Sequence, residues 1–393
     1  MSENSADMAV IGAGPAGAHL ATRLAESGRE IVLFDPRGAW EKPCGGGVPS
    51  RALREFAFLL ENSDYPRKLI NRITMVSPFE RQITVNFKTP FAVFSRKVLN
   101  SLILDRAVRA GARFIQSGVK DFSRTSDGWV LKTSDGQEWR ARMLVGADGA
   151  ASFTRRRLIG IFPQSDLALA FGYNVAMDEK NENEKSDEVL IRFPKNFTGY
   201  LWAFPRPGVM NFGVASKLGE RTSDELRRLL SNFVRNYYGG RMPAEERMDF
   251  FGAKIPTLDR RSWASVRASG EGWSLIGDAA GFADPITGEG IYFAFKSAEV
   301  LAEAIATHAT GGAAESAYER MWRASFGREL EHASYRLPQF YHGTFFGHLI
   351  TDAMIRLARF HRGVRKTLVD ALMGEQSYVT LKRDLLCRAW QII

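Results

Sequence analysis

The chain opens on a short apolar run, Met8 to Ile11, that passes directly into Gly12-Ala13-Gly14-Pro15-Ala16-Gly17. A glycine triad at this spacing, between a strand and a helix, admits few folds. The first glycine permits a tight turn, the second lets backbone approach a pyrophosphate, and the third allows the helix to pack closely on the strand. The helix start then presents free N–H groups and a partial positive charge. A helix is expected over Ala16 to Ser27, stopped by Gly28, and a second strand over Glu30 to Phe34, closed by Asp35. Together these make a βαβ unit. Asp35 stands eighteen positions after Gly17, where a carboxylate accepts hydrogen bonds from ribose hydroxyls. An acid there favours an unphosphorylated ribose, hence FAD or NAD over NADP.

Two later motifs carry the same chemistry. LVGADG, Leu144 to Gly149, ends a strand on Asp148-Gly149, and LIGDAAGFADPITGEG, Leu275 to Gly290, places Asp278 at a second strand end. An aspartate in that position can bond a ribityl chain. Pro285, Gly288 and Gly290 follow as small or turn residues that leave helix N–H groups free to face a ring. Three motifs in this order describe one site gripping one dinucleotide at both ends and in the middle, which points to FAD. No second G-x-G-x-x-G offers a nicotinamide site, so electrons are expected from transiently bound NADPH or another external donor, such as a redox partner.

The 393 residues suffice for two or three domains. Lys and Arg number 53 against 44 Asp and Glu, a net charge of +9. That surplus favours anionic partners. The basic residues are dispersed, with no zinc-finger spacing and no aromatic RNA-binding motif, so nucleic acid is not expected. Cys44 and Cys387 form no disulfide framework, which suggests a reducing compartment. The start MSENSAD carries no signal-peptide pattern, and no apolar run reaches the roughly 20 residues of a membrane helix. A cytoplasmic location follows as the expectation, or a peripheral one at the inner face of the membrane. The six histidines show no metal spacing, so no metal is expected.

Between the motifs, ITMVS, ITVNF and FAVF read as short antiparallel strands separated by turns, within Ile70 to Phe94. Arg96 to Ala110 has helical periodicity, and strands are expected at Arg113 to Gln116, Trp129 to Thr133 and Arg142 to Val145. Leu167 to Ser216 returns to strand patterns around the charged run Asp178 to Glu188, a solvated hairpin tip. Ser223 to Tyr238 and Ile291 to His308 are helical, with a strand at Trp273 to Ile276. Thr310 to Ala314 is a linker, and the remainder is helical and aromatic-rich. One amphipathic helix is expected over Phe345 to Lys366. It sets Phe346, Ile350, Met354 and Leu357 on one face, with Arg356, Arg359, Arg362, Arg365 and Lys366 among its polar positions. Such a helix suits peripheral contact with an anionic bilayer, or else covers the substrate domain.

Lys42-Pro43-Cys44-Gly45-Gly46-Gly47 and Gly199-Tyr200-Leu201-Trp202-Ala203-Phe204-Pro205 carry a resemblance. The chain resembles the flavoproteins that include aromatic hydroxylases and flavin halogenases, and within them the geranylgeranyl reductases. The first stretch is similar to that family's cysteine-triglycine loop beside the flavin. The second is similar to its Y-x-W-x-F-P strand along a lipid cavity, where halogenases carry tryptophan in place of Tyr200. The fold implied is α/β: a Rossmann-like FAD-binding domain of the glutathione reductase type 2, aromatic hydroxylase-like kind, with an antiparallel β-sheet substrate domain and a C-terminal helical region. The first is expected to be discontinuous over 1–68, 95–160 and 255–310, the second over 69–94 and 161–254, and the third over 311–393.

The resemblance also implies that Arg96 reaches the FAD nucleotide, that Val119 touches adenine through its backbone, and that Gly290 and Ile291 offer N–H groups to the flavin ring. Gly45, Gly46 and Gly47 can lay bare backbone on a planar ring. Cys44 is the candidate catalytic residue, a thiol able to give a proton to the carbon opposite a hydride acceptor or to gate the loop, the alternative being a small residue that fits a tight turn. Tyr200, Trp202 and Phe204 alternate on one strand face and are the candidate wall for a hydrophobic or isoprenoid substrate. The activity implied is reduction of carbon–carbon double bonds in an isoprenoid lipid. The alternatives are a monooxygenase or halogenase acting on an aromatic or polyketide-like substrate, and an FAD-stabilised lipid carrier.

Overall fold

The computed structural model describes residues 4–177, 187–308 and 312–388. The strand Ser5–Ile11 lies at the centre of a parallel sheet, between Ile31–Phe34 and Glu138–Gly146, with Arg113–Ile115 and Trp273–Leu275 flanking these. Val119–Thr125 and Gly128–Thr133 extend the Glu138–Gly146 edge as an antiparallel meander. Ala9 and Val10 are fully enclosed, because helices cover both faces of a parallel sheet and leave no wet side. The helix Pro15–Glu26 packs between the helices Arg96–Arg109 and Ile291–Thr307, burying Leu20, Ala21 and Leu24. Gly17 is what permits this closeness: a Cβ there would sit 1.9 Å from the Gly12 carbonyl oxygen.

The second sheet runs, from one edge to the other, Met248–Pro256, Leu167–Ala176, Val209–Lys217, Gly199–Arg206, Glu188–Arg192, Arg67–Val76, Gln82–Phe94 and Gly47–Val48. It is mixed rather than antiparallel as expected, since Glu188–Arg192 pairs in parallel with Arg67–Val76. The runs ITVNF and FAVF are not separate strands: both belong to Gln82–Phe94, and a register shift opposite Ile70 and Arg72 absorbs the break in pattern at Pro90. Gly47–Val48, from the cysteine-triglycine loop, pairs with Ala92 and Val93 and so joins this second sheet. Of the charged run 178–188, all but Asp187 and Glu188 lies outside the described residues, as do Thr310 and Gly311 of the linker.

The C-terminal helices divide between two tasks. Ala313–Trp322 completes the nucleotide core, where Tyr318 and Trp322 are fully buried and the Tyr318 hydroxyl donates to the Leu275 carbonyl at 3.0 Å. Arg328–His342 instead packs Ala333, Leu337 and Tyr341 onto the second sheet. The single amphipathic helix expected over Phe345 to Lys366 is not formed. Thr344–Phe345 and His348–Leu349 make a two-residue-per-strand hairpin, followed by separate helices Ile350–Ala358 and Arg362–Leu372. The His361 ring breaks the pattern by accepting the Val364 N–H at 3.3 Å, starting a new helix where the periodicity ran on.

The sheet face bearing Tyr200, Trp202 and Phe204 is paved opposite them with Ala215, Gly213 and Asn211. The Trp202 ring lies over Gly213, where a Cβ would meet it at 2.0 Å. Gly213→Ala is therefore expected to cost about 1–3 kcal/mol through overpacking, measured as a lower thermal midpoint with secondary structure retained.

Candidate functional site

All but one of the proposed site residues line a single cavity of about 580 Å3 between the two sheets. Gly17 stands apart, behind the first turn, in its packing role. At the nucleotide end, Gly14 caps the helix Pro15–Glu26 without a side-chain bond, and a Cβ on it would meet nothing within 4 Å. The helix N–H groups therefore face open cavity, as a pyrophosphate requires. Asp35 is held at its strand end by three backbone donors: Ala13 N–H at 3.1 Å, Arg37 N–H at 2.8 Å and Gly38 N–H at 3.1 Å. Val119 sits half-buried on the wall beside it, with Gly118. Arg96 is buried on the same wall, bonded to Asn100 Oδ1 at 3.3 Å, with its Nε lacking a partner among the described residues.

The middle of the cavity is charged. Lys42 Nζ stands 3.0 Å from Asp278 Oδ2, an ion pair joining the loop before Cys44 to the third motif. Asp148 turns its carboxylate toward its own chain, accepting from the Ser152 hydroxyl and from Thr154 N–H at 2.9 Å. Burial raises its pKa, against those bonds. Gly149 lines the wall next to it.

The cysteine-triglycine loop is fixed from the opposite sheet. Arg206, buried, donates to Glu41 Oε1 at 2.7 Å, to the Cys44 carbonyl and to the Gly45 carbonyl at 3.3 Å. Glu41 in turn accepts from Arg96 N–H and Lys97 N–H, both at 3.0 Å, at the start of the helix Arg96–Arg109. Gly46 has φ +79°, and a Cβ there would meet the Phe94 carbonyl oxygen at 2.0 Å. Cβ atoms on Gly45 and Gly47 would strike Phe204 and Phe91. The glycines are thus required by the protein behind the loop, whatever lies in front of it. Cys44 is half-buried on the cavity wall, its Sγ accepting the Gly46 N–H at 3.3 Å.

The third motif closes the site. Three tyrosine hydroxyls from three elements converge on residues 284–287. Tyr200 donates to the Thr287 carbonyl, Tyr341 to the Ile286 carbonyl at 2.8 Å, and Tyr378 to Asp284 Oδ2 at 2.7 Å. Pro285, Gly288, Gly290 and Ile291 all line the cavity here, and Gly290 caps the helix Ile291–Thr307 without a side-chain bond. Burial raises the pKa of Asp284. Glu289 accepts the Tyr292 N–H at 2.8 Å through Oε1, while its enclosed Oε2 has no partner among the described residues. Burial pushes Glu289 up to about 8, helped by the nearby Asp284. Tyr200 is half-buried, Trp202 is buried with Nε1 donating to Asn211 Oδ1 at 2.8 Å, and Phe204 packs edge-on to Phe91. Beyond them the wall is apolar, with Phe87, Val189, Ile191, Phe193, Leu337 and Phe340.

Sequence reasoning missed Lys42, Arg206, Glu289 and the tyrosine clasp. Lys42 and Glu289 lay inside quoted motifs, and Arg206 follows Pro205 directly, but the partners of Lys42 and Arg206 lie far away along the chain and the burial of Glu289 is not a local feature. The residues present fit FAD: an uncapped helix start, a fixed carboxylate at the second strand end, a buried arginine with an unused donor, and a second uncapped helix start at Gly290.

The sequence matches the FAD binding domain family over residues 5–323. A geranylgeranyl diphosphate reductase from Rhodobacter capsulatus is 30% identical over 339 residues, 82% of this chain and 80% of that protein. A menaquinone reductase from Mycobacterium tuberculosis is 30% identical over 77% of this chain and 76% of its own length. Among solved structures, a geranylgeranyl bacteriochlorophyll reductase-like protein from Thermoplasma acidophilum superposes with TM-score 0.75 at 22% identity, covering 99% of this chain and 96% of that one. A flavin-dependent brominase superposes with TM-score 0.71 at 18% identity, covering 98% and 99%. The chain belongs to the FAD-binding domain family, and within it to the geranylgeranyl reductase family of FAD-dependent oxidoreductases.

Two outcomes follow from this geometry. Arg206→Met removes the donors that hold the Cys44 loop and should cost about 3 kcal/mol. A thiol reagent should then label Cys44 faster, with exposed Cys387 as an unchanged internal control. Glu289 holds a proton in the folded state that the unfolded chain, with an ordinary value of 4.5, releases. Its folded pKa is raised, so it is neutral in stability below about 4.5 and costs stability progressively as pH climbs towards about 8. Glu289→Gln should therefore raise the thermal midpoint relative to wild type in mildly alkaline buffer and leave it unchanged in acid.

Proposed function

We propose that this chain reduces carbon–carbon double bonds of an isoprenoid lipid. The observation that carries the reading is the continuity of one cavity, from the Gly14 helix start and Asp35, past Cys44, into an apolar chamber. When bound, and once reduced by NADPH or another external donor, FAD would supply a hydride through its N5. The chain's own residues supply the rest. Gly14, Asp35, Arg96, Val119, Asp278 and Gly290 would hold the cofactor. Tyr200, Trp202 and Phe204 would form the substrate wall, and the helix Arg328–His342 roofs the chamber against water. The Cys44 thiol is the proposed proton donor to the second alkene carbon, so that hydride and proton together saturate one bond.

Relatives named for geranylgeranyl diphosphate, digeranylgeranylglycerophospholipid and menaquinone reduction support the class. Those three molecules differ in head group and share a polyprenyl chain, which suits a chamber selective for the chain. Oxygen-dependent hydroxylation or halogenation is the second reading, kept because the brominase shares the fold.

Anaerobic incubation of the FAD-loaded protein with dithionite and several prenyl lipids, read by mass spectrometry, tests this. A mass gain of about two hydrogens per reduced bond is expected. Lipid masses unchanged throughout although the flavin is fully reduced, or product formed only with oxygen, would sink the assignment. Cys44→Ser should keep its FAD and lose roughly 10²-fold or more in the rate of saturation.

A further inference from the structure

We propose that the Thr344–Leu349 hairpin, with the turn at Leu357 to Phe360, docks this chain on an anionic lipid bilayer. The hairpin tip is aromatic and stands out from the surface. Phe346 is 88% exposed and Phe345 53% exposed, with ring centroids 4.6 Å apart. Phe346 and Gly347 both have positive φ, +49° and +77°, so the backbone itself turns the pair outward. Phe360 is 65% exposed and Leu357 44% exposed at the end of the next helix. An apolar tip of this kind would pay a hydration penalty in water that insertion at the headgroup level removes.

The tip is rigidly mounted. Ile350 N–H donates to the Gly343 carbonyl at 2.9 Å and closes the base of the hairpin. The helix Ile350–Ala358 is pinned by Asp352, fully buried, which accepts from the Ser77 hydroxyl at 2.6 Å and pairs with Arg81. Thr351, Asp352, Ile355 and Ala358 take the buried side, leaving Arg356 and Leu357 outside.

The exposed charge of this segment has one sign. Between Thr344 and Lys366 the only acid is Asp352, already neutralised, against five Arg and Lys residues. Arg365 is spent on the carbonyls of Ala358 and Arg359, and Lys366 on Asp370. Arg356, Arg359 and Arg362 are exposed and make no ion pair among the described residues, and the Arg359 guanidinium stands 5.9 Å over the Phe360 ring. Aromatic residues beside uncompensated arginines match an interface of acyl chains under anionic headgroups. A second copy fits poorly, since a two-fold contact on this face sets arginines against arginines.

No helix among the described residues is long or apolar enough to cross a membrane, so attachment would be peripheral. The helix Arg328–His342 lends Leu337, Phe340 and Tyr341 to the cavity wall and runs straight into the hairpin. Docking therefore brings that side of the cavity next to the bilayer. The inference stands apart from the reduction chemistry, because it rests on surface residues alone.

The FAD-loaded full chain is floated with vesicles containing phosphatidylglycerol and, in parallel, with pure phosphatidylcholine vesicles. Binding to the first, weak binding to the second, and release by salt are expected. Phe345→Ser with Phe346→Asn should lower vesicle affinity at least about tenfold with the thermal midpoint unchanged. Asn is chosen because it tolerates the positive φ. Arg356→Gln, Arg359→Gln and Arg362→Gln together should flatten the salt dependence. Wild-type protein left in the aqueous layer with anionic vesicles overturns the proposal. So does undiminished vesicle binding by the double aromatic variant. A wild-type dimer that this variant converts to monomer, with vesicle binding intact, would reassign the face to self-association.

Discussion

One buried guanidinium, that of Arg206, holds the two halves of the site in register. It reaches from the second sheet to Glu41, to the Cys44 carbonyl and to the Gly45 carbonyl, and Glu41 ties the same cluster to the start of the Arg96–Arg109 helix. Burial lowers the pKa of Arg206, while Glu41 opposes that and favours the charged form. The planar guanidinium holds its donors in a fixed fork that reaches all three acceptors from one side chain, a geometry that the single ammonium nitrogen of lysine does not reproduce. Without this link the cysteine loop would be a glycine-rich strand end free to sample many conformations. With it, Cys44 is a defined wall element between the nucleotide sheet and the apolar chamber.

The other wall is set by the same logic. Tyr200 from the second sheet, Tyr341 from the helix Arg328–His342 and Tyr378 from the turn after the helix Arg362–Leu372 each donate to residues 284–287. The loop that ends at the helix start of Gly290 is therefore positioned by elements that contribute nothing to the nucleotide sheet. Burial of these hydroxyls raises their pKa values, so they remain donors across the working range. The cavity between the two walls is polar where Lys42 meets Asp278 and apolar beyond Phe204. That gradient suits a charged dinucleotide at one end and, on the proposed reading, a hydrocarbon chain at the other.

How much of this was legible in the sequence follows from the range of each signal. The βαβ opening, the helix Arg96–Arg109 and the capped helix Ser223–Tyr237 are local, written in glycines, caps and periodicity, and the structure has them within a residue or two of the expected limits. The break in the C-terminal amphipathic pattern was not legible. Apolar spacing continues through Phe360, while the helix boundary depends on the His361 cap and on Gly363 lying against the Arg388 carbonyl, where a Cβ would stand at 2.4 Å. The parallel pairing of Glu188–Arg192 with Arg67–Val76 joins strands more than a hundred residues apart, and no local pattern encodes it. Arg206 was hidden for the same reason: it sits beside a recognised motif but acts through partners that only the folded chain brings near. Glu289 bonds the Tyr292 N–H three residues on, and what sets it apart is its burial, which no local pattern shows.

On the proposed reading, cofactor and apolar substrate share one chamber, separated by no wall. Titrating the FAD-loaded protein with a prenyl diphosphate and recording the flavin absorption spectrum tests it most directly. A saturable change in the flavin bands is predicted, because a chain lying past Tyr200 and Phe204 would alter the ring's surroundings. A lipid that binds measurably while leaving the flavin spectrum untouched would contradict the account.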